Sequence, residues 1–279
     1  MTHSVALGVE YDGSKFVGSQ RQPEGRTIQA VLESALARVA DEEVQVDFAG
    51  RTDSGVHATN QVACFRTLAT RTTSAWVKGA NTYLPDDIVV HSCHDVDGSF
   101  DPRRSAKWRR YFYVFGERKV VPALGRSFAT WIDDWLDAET LHKQSQCLLG
   151  EHDFTSFRAA HCQSKSPRRR IHAISVTRLS EFVVLDIVAN AYLLRMVRNI
   201  AGALFGLAQG KVADLSMLLE QRDRSLAPPT APPQGLYLTQ IAYEKYPSLG
   251  LFRSPPLLGT CTEFSVFTPS DFTDVRIGI

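Results

Sequence analysis

The chain has 279 residues, 31 Lys and Arg against 30 Asp and Glu, a formal net charge of +1 and 44% hydrophobic residues. That length suits one large domain or two ordinary ones with a sizeable core, and the composition excludes intrinsic disorder and collagen-like structure; the balanced charge by itself points to no partner. Five scattered cysteines, Cys64, Cys93, Cys147, Cys162 and Cys261, lack CxxC spacing, so they suggest neither a disulfide framework nor a zinc ribbon and fit a reducing, cytoplasmic compartment.

The residues before Glu10 are too polar for a signal-peptide core, and no run approaches the roughly 18 apolar residues of a membrane span, so the chain is read as soluble and without membrane attachment. Residues 4–10 and 43–49 read as strands. Between them Ile28, Val31, Leu32, Ala35, Leu36 and Val39 recur at helical spacing behind Thr27, a residue type suited to cap a helix. A strand at 61–66, a helix at 73–83 and a strand at 87–96 follow, closing at the Asp-Gly-Ser turn of 97–99.

The second half opens with the strand Lys107–Phe115 and continues with a helix at 138–149, strands at 169–179 and 182–190, a helix over 192–208 and a strand at 236–244. The Pro-rich stretch 228–233 reads as an extended loop, because proline blocks both helix and ladder. Glu181-Phe182 marks a tight reversal, which favours an antiparallel or mixed α+β sheet over a doubly wound parallel one. Charge is locally uneven: Arg103, Arg104, Lys107, Arg109, Arg110, Arg118 and Lys119 face only Glu117 within 103–119, and Lys165 with Arg168, Arg169 and Arg170 forms a second cluster. Interleaved with Trp108, Tyr111, Phe112 and Tyr113, the first cluster has the cations and ring faces that single-stranded or loop RNA requires, although a half-buried strand with solvated charges fits as well.

No phosphate-cradling GxxxxGK[ST], no GxGxxG after a strand and no GxSxG elbow occurs, so nucleotide-dependent and α/β-hydrolase chemistries lack their usual signatures. Strand alternation puts His91 and Cys93 on one face and His94 on the other, which argues against a metal site there. Two segments carry candidate chemistry. Ala49-Gly-Arg51-Thr-Asp53-Ser-Gly55-Val-His57-Ala58 interrupts the strand pattern with a polar loop in which a neighbouring cation can hold Asp53 ionised; an Asx-type turn with Gly55 at positive φ is the structural alternative. In Asn190–Gly202, helical offsets put Arg195, Arg198, Asn199 and Gly202 on one face, and arginines among Leu193, Leu194, Met196, Val197 and Ile200 need an acidic or phosphate partner unless they reach solvent.

Taken together, Gly50-Arg-Thr-Asp53-Ser-Gly-Val-His57-Ala, Arg109-Arg110-Tyr111-Phe-Tyr113 and Met196-Val-Arg198-Asn199-Ile-Ala-Gly202 resemble, in order and separation, the tRNA pseudouridine synthase A family. Glu10-Tyr-Asp-Gly-Ser14, the segment Cys147–Phe157 and Gly235-Leu-Tyr-Leu238 support the resemblance, which runs from about residue 5 to 246. It implies that Asp53 is the catalytic aspartate, that Tyr111 lies against the target uracil and that Arg198 pairs with the aspartate. It further implies that Arg51 helps displace the flipped base, that Leu236 belongs to the pocket wall and that Arg103, in Phe100-Asp-Pro-Arg103, contacts RNA. On an ideal strand Arg109, Tyr111 and Tyr113 share a face, the expected wall of the cleft, with Arg109 a substrate contact.

The implied fold is α+β, two ferredoxin-like halves with mainly antiparallel sheets joined around a central RNA-binding cleft: residues 1–104 carrying the aspartate loop and 105–246 carrying the tyrosine strand and arginine helix. The tail 247–279 falls outside the resemblance and has no assigned role. The implied activity is an intramolecular transfer that turns uridine into pseudouridine at positions 38–40 of the tRNA anticodon stem-loop, with no cofactor or metal, by a cytoplasmic enzyme that is usually a homodimer. A non-catalytic tRNA-binding protein or chaperone on the same scaffold, and a nucleoside or glycoside hydrolase, remain as alternatives. Two positions depart from the family pattern: Ser19 stands where a tryptophan is common, and Asp101-Pro102 where His-Ala is common.

Overall fold

The computed structural model describes residues 2–259, 264, 267–268 and 270–272; Cys261 lies outside the described residues. The chain divides into two units, Met1–Arg109 with Leu238–Ile279, and Arg110–Tyr237.

In the first unit, His3–Tyr11 form β1 and Ile28–Ala40 form α1. The expected cap is present: the Ala30 amide donates to the Thr27 hydroxyl, which satisfies one of the N–H groups that a helix start leaves unpaired. The strand expected at 43–49 shrinks to Val46–Phe48 (β2), whereas the one expected at 61–66 lengthens to His57–Thr67 (β3). Thr73–Tyr83 (α2) and Ile88–Val96 (β4) follow, close to their expected bounds. β1 pairs antiparallel with β3 and with β4, and β2 pairs antiparallel with β3. Trp76 of α2 meets Phe65 of β3 edge-on at 5.1 Å, both fully buried, so α2 seals part of the sheet with aromatic surface. With Leu236–Ala242 (β10) the strand order of this unit is β4-β1-β3-β10.

The tail beyond β10 packs on this unit. The Thr59 hydroxyl donates to the Arg253 carbonyl at 2.5 Å, the Asn60 amide to the Leu251 carbonyl at 2.6 Å, and Arg253 pairs with Glu10 at 3.0 Å. Leu249 is buried.

Trp108–Glu117 (β5) leads into the second unit. Thr130–Ile132 (β6) runs parallel to it with Phe115 opposite Thr130, an element with no sequence signal beyond three residues. The helix expected at 138–149 is Ala138–Ser145 (α3), capped by Asp137 and prolonged by the tight turn Gln146–Leu148. Gly150–Asp153 (β7), Arg168–Leu179 (β8) and Phe182–Ala189 (β9) pair antiparallel in the order β9-β8-β7, and the strand order β5-β9-β8-β7 completes the sheet of this unit. The reversal expected near Glu181 is the two-residue turn Ser180-Glu181, with Ser180 at φ 52° and Leu179 opposite Phe182. Met196–Ala208 (α4) and Leu215–Gln221 (α5) complete the helices. The fold is α+β with mostly antiparallel pairing, as the reversal and the irregular alternation of elements imply. Among the described residues no helix is long and apolar enough to cross a membrane.

The helix expected at 192–208 starts four residues late. Arg195 adopts a left-handed conformation, φ 60°, which ends helical continuity toward its N-terminal side. The preceding segment is tied elsewhere: the Leu194 amide donates to Cys162 Sγ, and the Ala159 amide donates to the Leu194 carbonyl. Arg195 therefore does not share a helical face with Arg198.

Candidate active site

The aspartate loop belongs to the first unit. Beyond β2 the chain leaves its ladder after the Ala49 amide donates to the Val62 carbonyl, and buried side chains then take over its main-chain groups. Arg109 donates from Nε and Nη2 to the Ala49 carbonyl at 3.1 and 2.9 Å, and from Nη2 to the Arg103 carbonyl at 2.6 Å. Gln61 bonds both polar groups of Gly50, accepting from its amide at 3.2 Å and donating to its carbonyl at 2.6 Å. The Thr52 amide donates to the Ser19 hydroxyl at 2.9 Å, and the Thr52 hydroxyl shares a 2.8 Å hydrogen bond with Tyr11. Burial pushes the Tyr11 phenol up to about 12 although the Thr52 and Gln61 hydrogen bonds oppose it, so this group is a neutral fixture at physiological pH.

Asp53 itself is half-buried and bridges Gly18 in antiparallel fashion. The turn expected here exists and is closed by the main chain, the Val56 amide donating to the Asp53 carbonyl at 3.2 Å, with Gly55 at φ 78°. Ser54 Oγ and the Gly55 amide donate to the Phe16 carbonyl, at 3.1 and 3.4 Å. Arg51 is exposed beside this framework.

His57 is buried, and its Nδ1 lies 3.1 Å from the Gly13 amide and 3.2 Å from Asp12 Oδ1. One nitrogen cannot both accept from the amide and donate to the carboxylate, so whether Nδ1 carries a proton decides which of the two it bonds. Burial raises the Asp12 carboxyl, but hydrogen bonds from His57 and Ser14 outweigh it and hold the group well below the usual carboxylate range.

Arg103 is exposed in a turn that Asp101 organises by accepting from the Arg103 and Arg104 amides, both at 2.9 Å. The Pro102 carbonyl accepts from Tyr243 at 2.7 Å. The Asp-Pro pair that departs from the family pattern thus builds its own turn. Arg109 and Arg103 meet through that turn's main chain.

In the second unit, Tyr111 is 7% exposed and stands perpendicular to Tyr192, ring centroids 5.0 Å apart, while Tyr192 donates to the Ile187 carbonyl. The neighbouring Arg110, itself fully buried, points to the other face and makes a two-pronged ion pair with Asp186, at 2.8 and 2.6 Å. Arg198 is half-buried on α4; its Nε donates to the Ala231 carbonyl at 2.9 Å, and the Ala231 amide returns a bond to the Arg198 carbonyl at 3.1 Å. This reciprocal pair holds the Pro-rich loop against the helix. Asn199 secures the same helix by donating to the Phe157 carbonyl and accepting from Thr230 and Arg224. Leu236 is buried at the start of β10. Tyr11 and Gln61 gave no individual signal in the sequence, since single buried polar or aromatic residues in strands look like ordinary core, and Ser19 stood out only as a departure from the family pattern.

Among the described residues, no group of three His, Cys, Asp or Glu side chains is arranged to hold a metal ion. The strict alternation assumed for His91–His94 is broken: Gly8 faces Ser92 and Val9 faces Val90, so His91 is the extra residue of a bulge. Burial lowers the His91 imidazole to about 4, with the Arg253 and His94 charges acting in the same direction.

The aspartate loop, its main chain held by buried side chains, lies in one unit, and the tyrosine strand and the arginine helix lie in the other. A family model described as tRNA pseudouridine synthase matches residues 8–103 and 145–244. A tRNA pseudouridine synthase A of Shewanella woodyi is 48% identical over 255 residues, covering 91% of this chain and 98% of that protein. Proteins of the same description are 48% identical in Legionella pneumophila strain Corby, over 90% of this chain and 96% of theirs, and 46% identical in Haemophilus influenzae, over 86% and 90%. The chain belongs to the tRNA pseudouridine synthase family.

Proposed function

We propose that this chain converts uridine to pseudouridine at positions 38–40 of the tRNA anticodon stem-loop, with Asp53 as the catalytic carboxylate. The enzyme is an isomerase acting on tRNA. Its reaction breaks the N1–C1′ bond, turns the base and joins C5 to C1′; the C5 proton is lost and N1 regains one. Nothing is added or removed overall, so the stoichiometry calls for no redox or group-transfer cofactor. A stacked uridine is out of reach of a side chain, so the base is extruded at a cost of a few kcal/mol that backbone contacts offset.

Asp53 acts as nucleophile on the sugar or as the base that removes a ribose proton. Tyr111 stacks on the uracil, and its hydroxyl serves the proton transfer from C5. Arg198 supplies the positive charge that keeps the carboxylate ionised once water is excluded. Arg51 replaces the displaced base, Arg103 contacts the RNA backbone, and Leu236 forms apolar wall that retains the free base. Arg109 serves the substrate indirectly, by fixing Ala49 ahead of Arg51. Two copies of the chain form the working enzyme, in the cytoplasm. The observation that supports this reading is the run of buried side-chain hydrogen bonds on the main chain from Ala49 to Thr52, the residues directly ahead of Asp53.

The test is incubation with an unmodified tRNA transcript followed by mapping of each uridine. Pseudouridine at 38–40 from the wild-type chain, and none from Asp53→Asn with tRNA binding retained, is the expected result. Substantial turnover by that variant removes Asp53 from its role, and release of free uracil transfers the chain to the hydrolases.

A further inference from the structure

The Gly18-Ser19 pair lies between the start of a helix and the aspartate loop, bonded to both. On one side the Ile28 amide donates to the Gly18 carbonyl at 3.2 Å and the Gln29 amide to the Ser19 carbonyl at 2.9 Å. These are first-turn N–H groups of α1, which have no partner within their own helix. On the other side the Ser19 amide donates to the Thr52 carbonyl at 3.0 Å, the Thr52 amide donates to the Ser19 hydroxyl at 2.9 Å, and Gly18 bridges Asp53. Gly18 has φ 124°, and a Cβ there would lie 3.0 Å from the Thr52 carbonyl oxygen, so the close approach requires glycine. Ser19 is 0% exposed.

We propose that Ser19 is a positioning residue for Asp53, transmitting the location of the α1 N-terminus to the catalytic loop through its hydroxyl. The inference rests on the reading of Asp53 as the catalytic carboxylate. Arg109 and Gln61 hold the loop at Ala49 and Gly50, three or more residues ahead of Asp53; Ser19 holds the residue immediately before it. The main chain at Thr52 is gripped at both its amide and its carbonyl by one residue, which fixes the plane from which the Asp53 side chain departs. Water cannot substitute for the hydroxyl in a fully buried site, so removing it leaves the Thr52 amide unpaired and frees the loop to shift. A tryptophan could not supply this bond, because its indole nitrogen only donates, whereas the Thr52 amide needs an acceptor. In a chain with serine here, the hydroxyl therefore carries the positioning.

Single-turnover kinetics with enzyme in excess over tRNA transcript separates positioning from bulk stability, because partial unfolding lowers only the concentration of active enzyme, which raising the enzyme to saturation restores, while a misplaced carboxylate lowers the saturated rate itself. Ser19→Ala should slow the saturated rate by about 10- to 100-fold, the scale of a misplacement approaching 1 Å, with full amplitude and tRNA affinity within about twofold of wild type. Ser19→Thr, which retains the hydroxyl, should recover most of that rate. A wild-type saturated rate for Ser19→Ala, with any deficit confined to sub-saturating enzyme, overturns the proposal. Asp53→Asn in the same assay distinguishes the two levels: if it turns over, the catalytic reading fails first, whereas an inactive Asp53→Asn beside a fully active Ser19→Ala defeats the positioning role alone.

Discussion

The ion pair between Arg110 and Asp186 permits a quantitative test of what holds the tyrosine strand. The guanidinium is wholly buried, the carboxylate side chain is 8% exposed, and two charge-assisted hydrogen bonds join them. Burial pushes the Asp186 carboxyl up and outweighs the opposing pull of Arg110, so the pair does not fully offset the dehydration of its carboxylate. Asp186→Asn keeps the shape but strands a buried cation, a change worth about 3–5 kcal/mol. At about 2–4 °C per kcal/mol for a protein of this size, the melting temperature should fall by roughly 6–20 °C. The double change Arg110→Met with Asp186→Leu removes both charges and fills similar volume, so it should stay within about 1 kcal/mol of wild type. Urea and thermal unfolding by circular dichroism measure both variants. A loss below 1 kcal/mol for Asp186→Asn, or a double variant as unstable as the single one, would refute this account of β5.

Two further outcomes follow from other packing and charge environments. A Cβ on Gly202 would lie 2.2 Å from the Pro229 carbonyl and 3.2 Å from the Ala231 amide, so Gly202→Ala must push the Pro-rich loop off α4 and should cost about 1–3 kcal/mol; Gly98→Ala, with nothing within 4 Å, should be neutral in the same unfolding assay, and equal effects would discredit the steric argument. Burial raises the Cys162 thiol, but bonds from the Leu194 and Ser164 amides and from Arg158 outweigh it and lower the thiol below its ordinary value, while burial pushes Cys64 and Cys93 up to about 12 and Cys147 to about 11. Because the thiolate is the reactive form, iodoacetamide at pH 7.5 should label Cys162 at least about tenfold faster than those three, as followed by peptide mass spectrometry; even labelling would contradict the assignment.

The elements that could be read from the sequence are those whose stability is local. α2 and the capped start of α1 need only helical spacing and a hydroxyl at the right place, and both sit where expected. β7 is Gly-Glu-His-Asp, without a β-branched or aromatic residue, and exists because β8 offers it a ladder. α5 has the apolar residues Leu215, Leu218 and Leu219 behind the cap Asp214, but seven residues are too few for periodicity to stand out. The start of α4 was hidden because the helical pattern of 192–195 is overridden by bonds to residues more than thirty positions away, at Ala159 and Cys162. The candidate site shows the same division. Its candidate residues are named by motifs, whereas Ser19, Gln61 and Tyr11 are defined only by the loop they hold.

The basic stretch 103–119 shows why charge read along a chain misleads. Every residue from Trp108 to Phe115 is buried, so a cation among them must find its partner inside the protein. Arg109 finds two main-chain carbonyls and Arg110 finds Asp186. At the exposed ends, Lys107 pairs with Glu244 at 2.6 Å and Arg118 with Glu181 at 2.5 Å. Arg109 and Arg110 are therefore not solvated cations: the hydrogen bonds of both also hold the fold. Arg104 and Arg168 are also exposed but lie near Asp101 at 3.7 Å and Glu151 at 3.9 Å, and Arg103, Lys119 and Lys165 are exposed as well. Their distribution, rather than the net charge of +1, is the charge each unit presents to solvent.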